Sequence, residues 1–297
     1  MTLNWQTSRI HCTVDLDRDG KQIGDLRLRP SDNVQPLGYW PIPIAVIANG
    51  KGPTVLLSGG VHGDEFEGPI ALMKLMHRLD PADIRGRIII LPALNAPALF
   101  DSARVSPIDG GNLNRSFPGA RDGGPTAMIA HLIEELILPS CNAAIDLHAG
   151  GKASIYAPTA LARRTQDPAL FAANIALARA FGAPFIWAMG ALSDDRSVNA
   201  AAARKGIPMI AAELGGGGAA TPELVRLAED GIVRCLADRG ILASAPPSPG
   251  AARIVEFTSP DQTLFAMRDG LFEPAFAPGD EVRQGARAGA IHSIHEP

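Results

Sequence analysis

Cysteine is scarce in this 297-residue chain: Cys12, Cys141 and Cys235 are odd in number and form no C-x-x-C pair. That excludes a disulfide framework and a thiolate zinc site. Long hydrophobic runs are missing too. The apolar stretches at residues 41–48 and 88–94 fall well short of the roughly 18 residues that a spanning helix needs. Residues 1–15 lack the apolar centre of a secretion signal, so a cytoplasmic protein is expected. There is also no basic stripe. With 27 Lys and Arg against 31 Asp and Glu, the net charge is −4, which argues against a nucleic-acid partner and for a small molecule.

What is present is an ordinary globular composition, 46% hydrophobic and 20% charged, long enough to bury a full core. Continuous apolar, β-branched runs at residues 44–48, 54–58, 87–91, 143–147, 185–188 and 207–212 read as strands buried on both faces. Residues 9–29 surround Asp17-Arg18-Asp19-Gly20 and predict an N-terminal β-hairpin. Between the strands lie helical patterns. Ile70, Met73, Met76 and Leu79 are expected to share one face. Met128, Ile129, Leu132, Ile133, Leu136 and Ile137 form a second stripe, with His131, Glu134 and Glu135 on its polar side. Asp167-Pro168 with Gly182, and Thr221-Pro222 with Gly240, bracket two more helices. The fold class expected is α/β, a mixed sheet with helices on both faces, over residues 1–242. Residues 243–252 (ASAPPSPGAA) read as a linker. A small β unit over residues 253–297 follows, with hairpin spacing like that of a β-barrel.

The chemistry collects at three places. Ser58-Gly-Gly-Val-His62-Gly-Asp-Glu65-Phe-Glu-Gly68 follows a buried strand and precedes a helix. In a glycine-rich turn, His62 and Glu65 can reach one point at zinc-ligand distances. Strand 143–147 then delivers His148, so His62, Glu65 and His148 make a candidate two-His, one-Glu zinc site with one open position. Glu213, expected just past strand 207–212, is placed to exchange protons with water and a leaving nitrogen, as a general base. The loop from Arg104 to Gly119 carries Asn114 and Arg115, which suit a substrate carboxylate. Arg104 can polarise a scissile carbonyl. The glycines 215–218 lack the Lys-Ser/Thr ending of a phosphate loop and read as close packing or a hinge.

Taken together, HGDE, NLNR, DLH and a strand-end glutamate resemble the succinylglutamate desuccinylase/aspartoacylase family, over essentially the whole chain. The resemblance implies a zinc-carboxypeptidase-like fold, one zinc ion on His62, Glu65 and His148, and Glu213 as the base. It also implies that Arg104 stabilises the oxyanion and that Asn114 and Arg115 hold the α-carboxylate. Within the family, SGGVHGDEFEGPIAL, SPIDGGNLNRSFPG and AELGGGG are most similar to members that deacetylate an N-acetylated diamino acid. A small N-acyl amino acid is therefore the expected substrate, and a homo-oligomer is compatible with it. Such relatives continue beyond a stop like His295-Glu-Pro, so the C-terminal β unit is expected to be incomplete.

Three other readings fit the same motifs. An acidic acyl amino acid, as for an aspartoacylase or desuccinylase, needs a further arginine, for which Arg163, Arg164 and Arg196 are candidates. Carboxypeptidase activity needs an open cleft. A non-catalytic binding module would not need Glu213. Asp146, two residues before His148, could orient it. His11, His77, His131, His292 and His295 are expected to be structural, Trp40 and Trp187 to pack, and Asp194 and Asp195 to cap a helix.

Overall fold

The computed structural model describes residues 5–29, 36–190 and 194–295. The chain divides into two compact units, Met1–Val255 and Glu256–Pro297. In the first, ten strands form one sheet. They are β1 (His11–Cys12), β2 (Gly20–Leu28), β3 (Trp40–Asn49), β4 (Thr54–Gly59), β5 (Gly86–Leu91), β6 (Ala143–His148), β7 (Ile155–Arg163), β8 (Phe185–Met189), β9 (Met209–Gly216) and β10 (Arg253–Val255). Their order is β1-β2-β3-β5-β4-β6-β9-β7-β8-β10. The centre, β5-β4-β6-β9, is parallel, and β7 runs against β9. Leaving β4, the chain steps first to β5 on one side and later to β6 on the other. This reversal opens a crevice at the carboxyl ends of β4 and β6.

Side-chain alternation divides the core cleanly. Val55, Leu57, Ala143, Ile145, Leu147, Ile210 and Ala212 face α1 (Glu67–Arg78), α4 (Pro168–Phe181) and α6 (Pro222–Asp238). Leu56, Ala144 and Met209 face the other way. There they meet the segment containing α3 (Pro125–His131) and the front of α5 (Val198–Arg204), while α2 (Ala96–Phe100) packs nearby. The period of two therefore puts Ser58, Asp146, His148 and Glu213 on this second face. The anticipated helix signals hold at two places. The Asp167 carboxylate accepts from Ala169 N–H and Gly182 takes φ +79°, while Thr221 caps α6 through Leu224 N–H.

Several expectations need correction. In α1, Ile70 and Met73 are exposed, and the buried face is Gly68, Ala71, Leu72, Leu75 and Met76. Steps of three lag the helical turn by about 60° each, so residues 70, 73, 76 and 79 spread over half the helix circumference. The second stripe is not one α-helix. After α3 it widens to a π-helix over Leu132–Ile137. Glu134, read as solvated, is buried and held in a fork by Arg204 at 2.8 and 2.7 Å. β7 was not anticipated, because Pro158 inside the run IYAPTALAR argues against a strand. Arg253–Val255, read as the start of the second unit, instead pairs in parallel with β8.

Within the second unit, the described residues form a two-stranded antiparallel sheet, β11 (Leu271–Pro274) with β12 (Gly289–His292). Among the described residues, no helix is long and apolar enough to cross a membrane.

Gly68, in the first turn of α1, lies against β6. A Cβ there would stand 2.6 Å from Leu147 Cβ and 2.9 Å from the Leu147 carbonyl oxygen. Gly68→Ala is expected to lower unfolding stability by about 1–3 kcal/mol despite alanine's better helix propensity, as overpacking does. Urea unfolding of the two proteins checks this. Equal stability would mean that α1 is free to shift.

Candidate metal centre and active site

His62 and Glu65 lie in the tight loop between β4 and α1, and His148 ends β6. These residues are buried, and one ligand atom from each lies within 4.8 Å of the others. Glu65 sits between the rings. Its Oε1 is 2.7 Å from His62 Nδ1, and its Oε2 is 2.9 Å from His148 Nδ1. Oε2 also accepts from Ala149 N–H at 3.1 Å.

The far side of each ring decides what the near side can do. His62 Nε2 is 3.1 Å from Asn112 Oδ1. That atom already accepts from Asn114 N–H at 3.0 Å, which identifies it as the amide oxygen, so His62 Nε2 must donate. His148 Nε2 donates to Asp146 Oδ2 at 2.7 Å, and Ser58 Oγ donates to Asp146 Oδ1 at 2.6 Å. With a single hydrogen, each imidazole would therefore carry it on Nε2 and aim the Nδ1 lone pair at Glu65. Two lone pairs and a carboxylate facing one another repel unless something positive lies among them.

The titration behaviour agrees. Burial alone would raise the Glu65 carboxyl, but His148 and His62 hold it well below the usual carboxylate range. Burial opposes a charge on His148, yet Asp146 and Glu65 push its pKa well above the ordinary imidazole value. A proton shared between these groups is what a divalent cation displaces on binding. The donor set, two nitrogens and a carboxylate with both histidines oriented from behind, fits zinc.

Around this cluster a cavity of about 340 Å³ is lined by Arg104, Asn114, Arg115, Tyr156, Asp194 and Glu213, among others. Glu213 lies inside β9 rather than beyond it, directly opposite His148 on β6. Its Oε2 is buried without a hydrogen-bond partner. Burial, reinforced by Glu65 and opposed by His148 and Arg104, pushes its pKa up to about 8. Arg104 Nη1 approaches Glu65 Oε1 at 3.3 Å. Two contacts hold the loop that carries it, and a third ties their partners together. Gly63 N–H donates to Ala103 O, Lys152 Nζ to Ser102 O, and Lys152 N–H to the Asp64 carboxylate.

Asn114 Oδ1 accepts from Val198 N–H at the start of α5, so its Nδ2 is the end left for a ligand. Arg115 Nε pairs with Asp194 Oδ2 at 3.1 Å. Asp194 does not cap α5, whose cap is Ser197; it joins Arg115 to Arg196. Asp195 pairs with Arg163. The sequence reading missed Asn112, Ser58 and Tyr156. Only Asn112, two residues before Asn114 in the same motif, offered a signal.

A family model described as the succinylglutamate desuccinylase/aspartoacylase catalytic domain matches residues 51–239. The N-alpha-acetyl-L-2,4-diaminobutyric acid deacetylase of Halomonas elongata is 40% identical over 289 residues, covering 97% of this chain and 84% of its own. Two solved structures are also similar. A succinylglutamate desuccinylase/aspartoacylase from Rhodobacter sphaeroides is 41% identical, with TM-score 0.90 over 97% of this chain and 88% of that one. The product-bound ectoine utilization protein EutE (DoeB) from Ruegeria pomeroyi is 38% identical, with TM-score 0.92 over 96% and 86%.

Zinc titration by calorimetry, in buffers of different ionisation enthalpy, tests the cluster. The expected result is about one ion per chain, with proton release and an affinity that falls as pH falls. Asp146→Asn should weaken binding about 10–100-fold. Undiminished binding in His148→Ala would contradict the assignment.

Proposed function

This chain belongs to the succinylglutamate desuccinylase/aspartoacylase family, and from that premise we propose that it is a zinc-dependent amidohydrolase deacylating a small N-acyl amino acid. The first-choice substrate is N-alpha-acetyl-L-2,4-diaminobutyrate. The observation that carries this reading is one cavity in which His62, Glu65 and His148 converge beside a half-buried Glu213 whose buried Oε2 is unsatisfied among the described residues.

His62, Glu65 and His148 would hold zinc, which when bound would supply Lewis acidity for the acyl carbonyl and for a water molecule. Glu213 takes the proton from the attacking water and returns it to the departing amine nitrogen. The Arg104 guanidinium faces the charge that develops on the acyl oxygen. Asn114 Nδ2 and the Nη2 end of Arg115 hold the α-carboxylate, and Asp194 on Nε with the Asn114 carbonyl on Nη1 keeps that guanidinium in one orientation. The products are acetate and the free amino acid.

Charge in the cavity supports a diamino acid over an acidic one. Its lining has two guanidiniums, Arg104 and Arg115, and four carboxylates, Asp64, Glu65, Asp194 and Glu213. Once a dication and the substrate's α-carboxylate are added, that set leaves no surplus positive charge for a second substrate carboxylate, whether or not Glu213 is protonated. None of the arginines considered for that purpose lines the cavity. Arg163 is on Asp195, Arg196 is on Asp194, and Arg164 lies over the Phe171 ring.

Two experiments test the proposal. A mass-spectrometric panel of acetyl-diaminobutyrate, acetyl-aspartate and succinyl-glutamate, with zinc and with chelator, should show zinc-dependent release from the first. Preference for either acidic substrate would contradict the charge argument. Glu213→Gln should keep its zinc and lose turnover by at least about a hundredfold.

The pH profile adds a second check. A base acts only when deprotonated, so kcat/KM rises with pH through the Glu213 pKa. Arg104 lowers that pKa, so Arg104→Met should move the acid limb to higher pH while reducing kcat about 10²–10³-fold. A limb that stays in place separates Arg104 from Glu213.

A further inference from the structure

β7 departs from a regular ladder at one place. Thr159 lies opposite Glu213 and Tyr156 opposite Gly215, with a register shift between the two pairs. Three steps along β7 thus match two along β9, which is a β-bulge at Ala157–Pro158. Directly opposed residues share a face and successive ones alternate. Glu213 and Thr159 therefore share the cavity side.

In an unbroken ladder Ala157 would oppose Gly215, and Tyr156 would turn to the far face, where Ala160 and Ala162 join the other core. The extra residue reverses that parity and brings Tyr156 round to the face of Glu213. Tyr156 accordingly lines the cavity with Arg104, His148 and Glu213. Its ring is partly open to solvent, 39% exposed, and no hydrogen bond ties its hydroxyl to another described residue. Partial burial, with the charges of Glu213 and Glu65, raises the phenol pKa and keeps it in the donor form.

We propose that Tyr156 touches the substrate: its hydroxyl donates a hydrogen bond to the acyl oxygen as negative charge builds there, alongside Arg104. The tyrosine keeps its proton throughout, and no bond to it forms or breaks. The bulge is then the device that supplies this donor, since it alone sets which face Tyr156 occupies. This role rests on the deacylase reading of the site.

The test is Tyr156→Phe in the full, zinc-loaded chain, assayed on N-alpha-acetyl-L-2,4-diaminobutyrate. The expected result is a fall in kcat of about a hundredfold, the loss seen when one oxyanion donor is removed. KM and zinc stoichiometry should be unchanged. A phosphinate analogue of the tetrahedral intermediate should bind more weakly by the same factor, while the amino-acid product binds as before. A merely structural tyrosine would not divide the two ligands in that way. Wild-type turnover in Y156F, or equal weakening of analogue and product, overturns the role given to Tyr156 alone. Absence of hydrolysis by the zinc-loaded parent overturns the deacylase reading and this role with it.

Discussion

The site depends on two histidines whose hydrogens are drawn away from Glu65. Asn112 Oδ1 holds Nε2–H of His62, and Asp146 holds Nε2–H of His148, so both Nδ1 lone pairs converge on a buried carboxylate. Without a positive charge this is an unfavourable arrangement, which a proton relieves in part and a divalent cation relieves fully. The Asn112 and Asp146 contacts are themselves fixed from behind, by Asn114 N–H and by Ser58 Oγ. The orientation of the proposed metal ligands thus reaches back into the loop of Asn112 and Asn114 and into β4.

The sheet turns that local chemistry into a working site. Alternation along β4, β6 and β9 puts Ser58, Asp146, His148 and Glu213 on one face, while the neighbours of each pack under α1, α4 and α6. The parallel register that sets His148 opposite Glu213 brings the proposed base beside the proposed ligand. Asn114 and Arg115 come from the long loop after α2, and α5 anchors them through Val198 N–H and Asp194. The proposed ligands, base and substrate clamp therefore come from four segments of the chain, around residues 62–65, 114–115, 148 and 213, gathered at the carboxyl ends of the central strands.

Much of this was legible in the sequence because the central strands are buried on both faces, and a doubly buried strand is written as a continuous apolar run. HGDE and DLH stand out for the same reason, as polar letters at the ends of such runs. What escaped reading depends on pairing rather than on composition. Asn112 matters through one oxygen shared by two donors. Tyr156 faces the cavity because of a bulge, which a single strand does not announce. Glu134 looks solvated until Arg204, 70 positions away, is found against it. Asp194 resembled a helix cap, and only the fold sets it between two arginines. A spacing of three alone does not define the buried face of α1, because a helical stripe needs the compensating step of four.

The most direct test of the account is nitrogen-15 NMR of the histidine side chains in the zinc-loaded chain. Asn112 and Asp146 require both His62 and His148 to be bound through Nδ1 and to carry hydrogen on Nε2. Two Nε2–H tautomers with zinc-shifted Nδ1 resonances is the result predicted. Zinc on Nε2 of either ring, or a ring left unshifted by the ion, would contradict the account.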